Sequence, residues 1–175
     1  FLICQFCFPG AFCSLFHGRI TQTNECVVLY LIGITLLSSI PILNTGFPQS
    51  ADLFYHLMRI EGIKDSLLAG YFPARIHLFA LKNYGYGSGF YYPDFFLYFP
   101  ALLRMLGFSI LASWKIFTIL TSFIALLVMF LFIHRISQST AAGLISATLY
   151  AFAAYRLLSI YYRGAVGEAQ SYMFM

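Results

Sequence analysis

The sequence predicts an all-α, polytopic integral membrane protein. Of its 175 residues, 61% are hydrophobic and only 9% are charged, whereas soluble domains carry about 25% charged residues. The mean hydropathy is +0.81. Because so few charges cannot cover a water-facing surface, lipid must solvate much of the chain. We therefore expect about three transmembrane helices, together with amphipathic surface helices in a long first loop.

Residues 1–25 form an apolar leader whose status the sequence leaves open. Its C-x2-C-x5-C-x3-H pattern, from Cys4 to His17, has a spacing typical of zinc sites. The setting is rich in phenylalanine and lacks charged partners, so incidental thiols are the better interpretation and we predict no metal site there. Since the chain starts at Phe1 and its first methionine is Met58, we expect a fragment of a longer polytopic protein.

Three apolar segments have the composition of membrane spans, at about 27–43, 108–133 and 141–158. The first, VVLYLIGITLLSSIPIL, is short for crossing about 30 Å of hydrocarbon. The second carries no charge between Lys115 and His134. The third is rich in alanine and glycine, which suits close helix packing. These segments place residues 26–175 in one transmembrane domain, with a first loop over about 44–107.

The first loop opens with Asp52, His56 and Arg59, which are spaced i, i+4, i+7 and therefore fall on one face of a helix. Ser50 is a candidate N-cap, which would place Asp52 in the first turn, where the helix dipole favours a carboxylate. We expect this helix to lie on the membrane surface or to pack against the spans, not to cross. This face of the helix carries a carboxylate, an imidazole and a guanidinium, so it is the candidate active face.

Two predicted spans separate this loop from a second polar segment, Arg163–Glu168. Two crossings return the chain to the same side of the membrane, so both polar segments can contribute to one site. The turn at His134-Arg135 then lies on the opposite side, and its basic charge suits the cytoplasm under the positive-inside rule. We therefore expect an extracytoplasmic site that combines Asp52, His56, Arg59, Arg163 and Glu168.

The residue types in these segments suit a ligand that carries phosphate. A carboxylate at the membrane surface can act as a base toward a hydroxyl, or can hold a divalent cation, which is the one cofactor left open. Arg59, Arg75 and Arg163 suit a lipid phosphate through paired donors. Tyr84 and Tyr86 can stack on a sugar ring, although an aromatic belt at the membrane interface is the commoner use of such residues.

Purely structural roles explain the same residues in other ways. The members of the Asp52 stripe are ordinary helix-surface pairs, and Arg163 with Glu168 can form a loop salt bridge. The ten Lys and Arg residues are scattered among apolar ones, so we expect membrane lipid and no nucleic acid among the partners.

The order of the polar motifs adds a resemblance to a known group. The segments DLFYHLMRIEGI, LAGYFPARI, YGYG, FYYP and YRGAVGE follow the first apolar span in that order. This pattern resembles the bacterial 6-pyruvoyl-tetrahydropterin-synthase-related membrane proteins and the YfhO-like group, which look like the GT-C superfamily of membrane glycosyltransferases. The resemblance covers about residues 27–175. One departure is that no second acidic residue adjoins Asp52.

The resemblance implies a multi-pass protein of the bacterial plasma membrane that transfers a sugar from a polyprenyl-phosphate donor to a cell-envelope acceptor. It implies that Asp52 is the catalytic base or a metal-linked carboxylate. Whether the chain is an enzyme stays open, and the alternative is a non-enzymatic transporter or envelope-assembly component that binds lipid phosphate. The substrate-binding candidates are His56, Arg59, Arg75, Tyr84, Tyr86, Arg163 and Glu168.

Overall fold

The computed structural model describes residues 22–43, Ser50 and residues 52–172. This part of the chain is mostly helical and contains no strand, which confirms the all-α prediction. One isolated antiparallel bridge joins His77 to Tyr86 in the first loop. The Cys4 to His17 pattern lies outside the described residues.

Six helices carry the architecture of the described residues, and short helical turns connect them. The helices are α1 (Gln22–Ser38), α2 (Leu53–Leu68), α3 (Tyr98–Met105), α4 (Ile110–Ser137), α5 (Thr140–Ala151) and α6 (Val166–Ser171). The short turns are Ile40–Leu43, Ala80–Asn83, Ser88–Phe90, Phe95–Leu97, Ala154–Leu157 and the π-helical Leu158–Arg163.

Helix α4 is long and apolar enough to cross a membrane. Its 28 residues correspond to a length of about 42 Å. The Ser109 hydroxyl accepts a hydrogen bond from the Ala112 N–H and begins the helix, and Gln138 ends it in a left-handed conformation. Helix α1 is apolar but shorter than the length of a typical span. Among the described residues, α4 alone meets both criteria without a bend.

The third predicted span, 141–158, is not one continuous helix. Helix α5 ends at Ala151, and the helical segment Ala154–Arg163 continues at an angle of 46°. The buried Arg156 guanidinium donates to the Ala151 carbonyl at 3.0 Å, at the point where the helix loses its own donors. A cation at a helix C-terminus also offsets the helix dipole. Arg156 therefore stabilises the break.

Two apolar clusters lie toward opposite ends of α4. At the end nearer the His134 turn, Leu31 and Ile34 of α1 pack with Leu126, Phe130 and Ala147. At the other end, Trp114 and Phe117 pack against the first loop in a cluster that also contains Ile42, Leu53, Leu57, Ile60, Ile63, Leu97 and Ile160. Helix α1 therefore runs toward the loop, α4 runs away from it, and α5 returns.

Helix α2 packs against α3 and α4, as one of the two predicted placements requires. Its apolar residues Leu53, Leu57 and Ile60 are buried. A Glu61–Arg104 salt bridge with an Nε to Oε1 distance of 2.6 Å ties α2 to α3. The predicted cap was wrong: Asp52 occupies the N-cap position, and no side-chain cap hydrogen bond forms.

Candidate functional site

An open cleft of about 470 Å³ lies at the loop end of α4. Three segments form it: the N-terminal half of α2, the stretch from Tyr92 to Leu97, and the stretch from Arg163 to Ser171. The volume falls within the range of about 300–1,000 Å³ that is common for small-ligand sites. The side chains that line it include Asp52, His56, Arg59, Arg163 and Glu168.

The cleft exists because the backbone at Arg163 meets the start of α2. The Asp52 N–H donates to the Arg163 carbonyl at 3.0 Å. Gly164 follows with φ +63°, and it is buried. A Cβ at Gly164 would lie 3.0 Å from the Leu53 nitrogen, and closer still to the Ser50 hydroxyl. Glycine therefore allows an approach that another residue would block.

Asp52 presents its carboxylate to the cleft from an exposed position. Among the described residues, no salt bridge or side-chain cap hydrogen bond engages this carboxylate. The carboxylate belongs to the N-cap residue of α2 and lies beside the positive end of the helix dipole. Asp52 is thus the carboxylate of the cleft that is available to a ligand.

Glu168 is, in contrast, held by several donors. Arg163 Nη1 and Ser159 Oγ donate to its Oε2 at 2.8 and 3.0 Å, and the Tyr155 hydroxyl donates at 3.3 Å. Desolvation raises the pKa of Glu168, but the hydrogen bond from Ser159 and the charge of Arg163 outweigh it and lower the pKa below its usual value. Glu168 therefore orients Arg163, whose side chain remains 38% exposed.

Arg59 lies beneath the cleft surface, where it is 4% exposed. Its Nε donates to Asp94 Oδ1 at 3.0 Å, and its Nη2 donates to the same oxygen and, at 3.2 Å, to the Pro93 carbonyl. Its guanidinium carbon lies 5.0 Å from the centre of the Tyr92 ring. Arg59 therefore ties the Tyr92–Asp94 stretch to α2.

His56 completes this buried group. Arg59 Nη1 lies 3.1 Å from His56 Nδ1. Burial and the positive charge of Arg59 lower the pKa of His56 to about 4, against the opposing effects of Asp52 and Asp94. The imidazole is therefore neutral at neutral pH.

Three predicted binding residues do not line the cleft. Arg75 is exposed, and its guanidinium carbon lies 5.8 Å from the centre of the Phe90 ring. Tyr84 is 90% exposed and Tyr86 is 43% exposed. Arg75, Tyr84 and Tyr86 belong to the part of the loop that also pairs Tyr86 with His77, outside the cleft lining.

Sequence reasoning missed Asp94. The chain contains only six acidic residues. Asp94 directly precedes the apolar residues Phe95 and Phe96, as Asp52 directly precedes the apolar residues Leu53 and Phe54. This shared position before an apolar run could have predicted Asp94 as a site residue. Asp94 and Asp52 are the two acids whose negative charges act on His56. Its Oδ2 is buried without a hydrogen-bond partner among the described residues.

The charges around the cleft do not balance. Asp52, Asp94 and Glu168 bring three negative charges, while Arg59 and Arg163 bring two positive ones, and His56 is neutral. A phosphate ligand would therefore gain from a divalent cation. The part of the chain that the structure describes has no group of three metal-binding side chains. Mg²⁺ is, however, usually bound by one or two carboxylates together with substrate phosphate, and Asp52 is the carboxylate of the cleft that is available for this.

No family model, curated protein or solved structure matches this chain. The resemblance to GT-C glycosyltransferases therefore stays a prediction, and the physical chemistry of the cleft must support any assignment of function.

Proposed function

We propose that this chain is part of a multi-pass membrane protein that transfers a sugar from a polyprenyl-phosphate donor to a cell-envelope acceptor. We place it in the bacterial plasma membrane with the cleft on the extracytoplasmic side, and we assign it to the GT-C-like glycosyltransferases. The observation that carries the proposal is the single cleft in which the unpaired Asp52 carboxylate and the partly exposed Arg163 lie together.

The reaction assigns one role to each of these residues. Asp52 accepts the proton of the acceptor hydroxyl as that oxygen forms a bond to the anomeric carbon. The bond from the anomeric carbon to the phosphate oxygen breaks, and its electron pair leaves with the polyprenyl phosphate. Arg163 steadies the charge of the leaving phosphate through its guanidinium donors.

The walls of the cleft suit an amphipathic donor. The lining combines acidic and basic side chains with the apolar Phe95, Phe96 and Leu97. Phe95 is 78% exposed. A lipid phosphate combines a charged head with an apolar chain, so a charged site flanked by exposed aromatic rings matches both of its ends. A divalent cation bound by the donor phosphate would offset the excess negative charge.

The test uses the full-length protein in lipid nanodiscs with a panel of polyprenyl-phosphate sugars that carry a labelled sugar. We expect Asp52→Asn to lower the turnover of the labelled donor by at least about a hundredfold, because general-base catalysis contributes about 10²–10⁴. Asp65→Asn is the matched control, since Asp65 lies on the same helix, pairs with Lys64 and does not line the cleft. Normal turnover in a correctly inserted Asp52→Asn variant contradicts the proposal.

A non-enzymatic lipid-phosphate binder is the second candidate, and one observation favours it. The partly exposed Arg163 and the exposed Phe95 line the same cleft, so a lipid phosphate and its apolar chain can be held there without any chemical step. Such a binder would retain the labelled donor without consuming it, and Asp52→Asn would leave retention unchanged.

A further inference from the structure

We infer that Asp94, acting through Arg59, holds His56 in one tautomer, so that its Nε2–H is a fixed hydrogen-bond donor to an oxygen of the cleft ligand. The inference concerns the state of the imidazole, and it does not depend on sugar transfer. It assigns a positioning role to Asp94 and Arg59, and a ligand-binding role to His56 that differs from that of a base or a cation.

The donors of Arg59 establish the first step. A guanidinium has five N–H groups. Nε and Nη2 use three of them on Asp94 Oδ1 and the Pro93 carbonyl, and Nη1 uses one on His56 Nδ1. Four of the five N–H groups are therefore engaged within the protein. Arg59 is also 4% exposed, so it is not available as a phosphate ligand.

The tautomer follows from this arrangement. A guanidinium can only donate, so the His56 Nδ1 that faces it must accept and cannot carry a proton. A neutral imidazole then carries its proton on Nε2. The lowered pKa of His56, to about 4, is consistent with a neutral ring. Asp94 fixes the guanidinium, and the guanidinium determines the tautomer. A hydrogen-bond partner on one ring nitrogen in this way decides whether the other nitrogen carries the proton.

The position of Asp94 explains why the arrangement is stable. Asp94 is 8% exposed and Arg59 is 4% exposed, and removing one partner of a buried pair leaves the other charge uncompensated. The rings of Tyr55 and Tyr92 lie 5.7 and 5.0 Å from the guanidinium carbon. Packing and charge together hold the Arg59 guanidinium in one orientation. The guanidinium in turn fixes the tautomer of His56.

The ligand chemistry is that of a hydroxyl group. His56 lies one helical turn after Asp52, and both line the cleft. A hydroxyl accepts one hydrogen bond and donates another, so it can accept from His56 Nε2–H while it donates to the Asp52 carboxylate. A donor and an acceptor side by side distinguish a hydroxyl from a phosphate oxygen, which can only accept.

The experiment measures the imidazole directly. The full-length protein is labelled with ¹⁵N-histidine and placed in nanodiscs, and His56 is assigned by comparison with a His56→Gln variant. At neutral pH we expect Nδ1 to resonate as an unprotonated nitrogen and Nε2 as a protonated one. In Asp94→Asn we expect this difference to be lost, because Arg59 is no longer fixed and both tautomers exchange. Asp65→Asn is the control and should keep the native signals.

Clear outcomes overturn the inference. A cationic His56 at neutral pH, or a proton on Nδ1 in the native protein, rules it out without any variant. Native signals in Asp94→Asn also rule it out. If Asp94→Asn does not fold, Arg59→Gln replaces it, because an amide can accept as well as donate and no longer forces His56 Nδ1 to accept. This variant should likewise lose the fixed tautomer. No substrate is needed, so failure of sugar transfer leaves this result intact.

Discussion

Gly164 decides whether the two polar segments of the cleft can meet. Its φ of +63° lies in the left-handed region, and its missing side chain leaves room for the start of α2. A left-handed conformation costs other residues about 1–2 kcal/mol, and here the backbone nitrogen of Leu53 adds a steric clash. The geometry of the cleft therefore depends on one residue that carries no functional group.

We expect Gly164→Ala to lower the free energy of unfolding by roughly 1–3 kcal/mol, because the new Cβ meets backbone that cannot move aside. Gly167→Ala is the control three residues later, where no atom lies within 4 Å of the added Cβ. Alanine favours the helix at that position by about 1 kcal/mol. Thermal unfolding in nanodiscs measures both variants. Equal melting temperatures for the two would contradict the steric account.

At the scale of elements, the close contact of α4 and α5 depends on Gly143. A Cβ there would lie 2.8 Å from the Phe130 ring and 3.2 Å from the Phe130 carbonyl. Close approach at a small residue is a common way for helices to pack in membranes. The prediction that the alanine- and glycine-rich third segment packs closely agrees with this contact, although the helix ends earlier than predicted.

We expect Gly143→Ala to destabilise the helix pair by about 1–3 kcal/mol, the usual cost of overpacking. Gly33→Ala tests helix propensity alone, since no atom lies within 4 Å of a Cβ at Gly33 in α1. That variant should be neutral, or more stable by up to about 1 kcal/mol. Denaturation in a detergent series compares them. A Gly143→Ala protein as stable as Gly33→Ala would show that the interface of α4 and α5 accommodates the added methyl group.

At the scale of the whole molecule, the cleft and the His134 turn lie at opposite ends of α4. The length of α4, about 42 Å, exceeds the hydrocarbon thickness of about 30 Å. The proposed membrane orientation therefore places the two ends on opposite sides. The described structure has one unbent helix of spanning length, so the crossing of α4 is the part of the topology to test first.

We expect single cysteines at Tyr84 and Ser137 to be labelled from opposite sides. In the full-length protein, with all native cysteines replaced by serine, an impermeant maleimide added to intact cells should label Tyr84→Cys. It should label Ser137→Cys only after the membrane is opened. Both positions are exposed. Labelling of both from outside would contradict a crossing by α4.

The helical class and the approximate positions of the long helices followed from the sequence alone. A continuous apolar run such as the one between Lys115 and His134 satisfies its backbone groups internally as a helix, because lipid offers no partners. The predicted ends of the helices were less accurate than their positions. The break after Ala151 depends on a hydrogen bond from Arg156 to the Ala151 carbonyl. The hydrophobicity of the sequence does not predict such a contact.

The state of each site residue was decided only by the tertiary structure. The i, i+4, i+7 spacing places Asp52, His56 and Arg59 on one face, but it does not say what covers that face. The Tyr92–Asp94 stretch covers Arg59, whereas Asp52 stays exposed. Helical periodicity is a local property, whereas burial and the pairing of Arg59 with Asp94 depend on how the loop returns across the helix, and so they arise only when the chain folds.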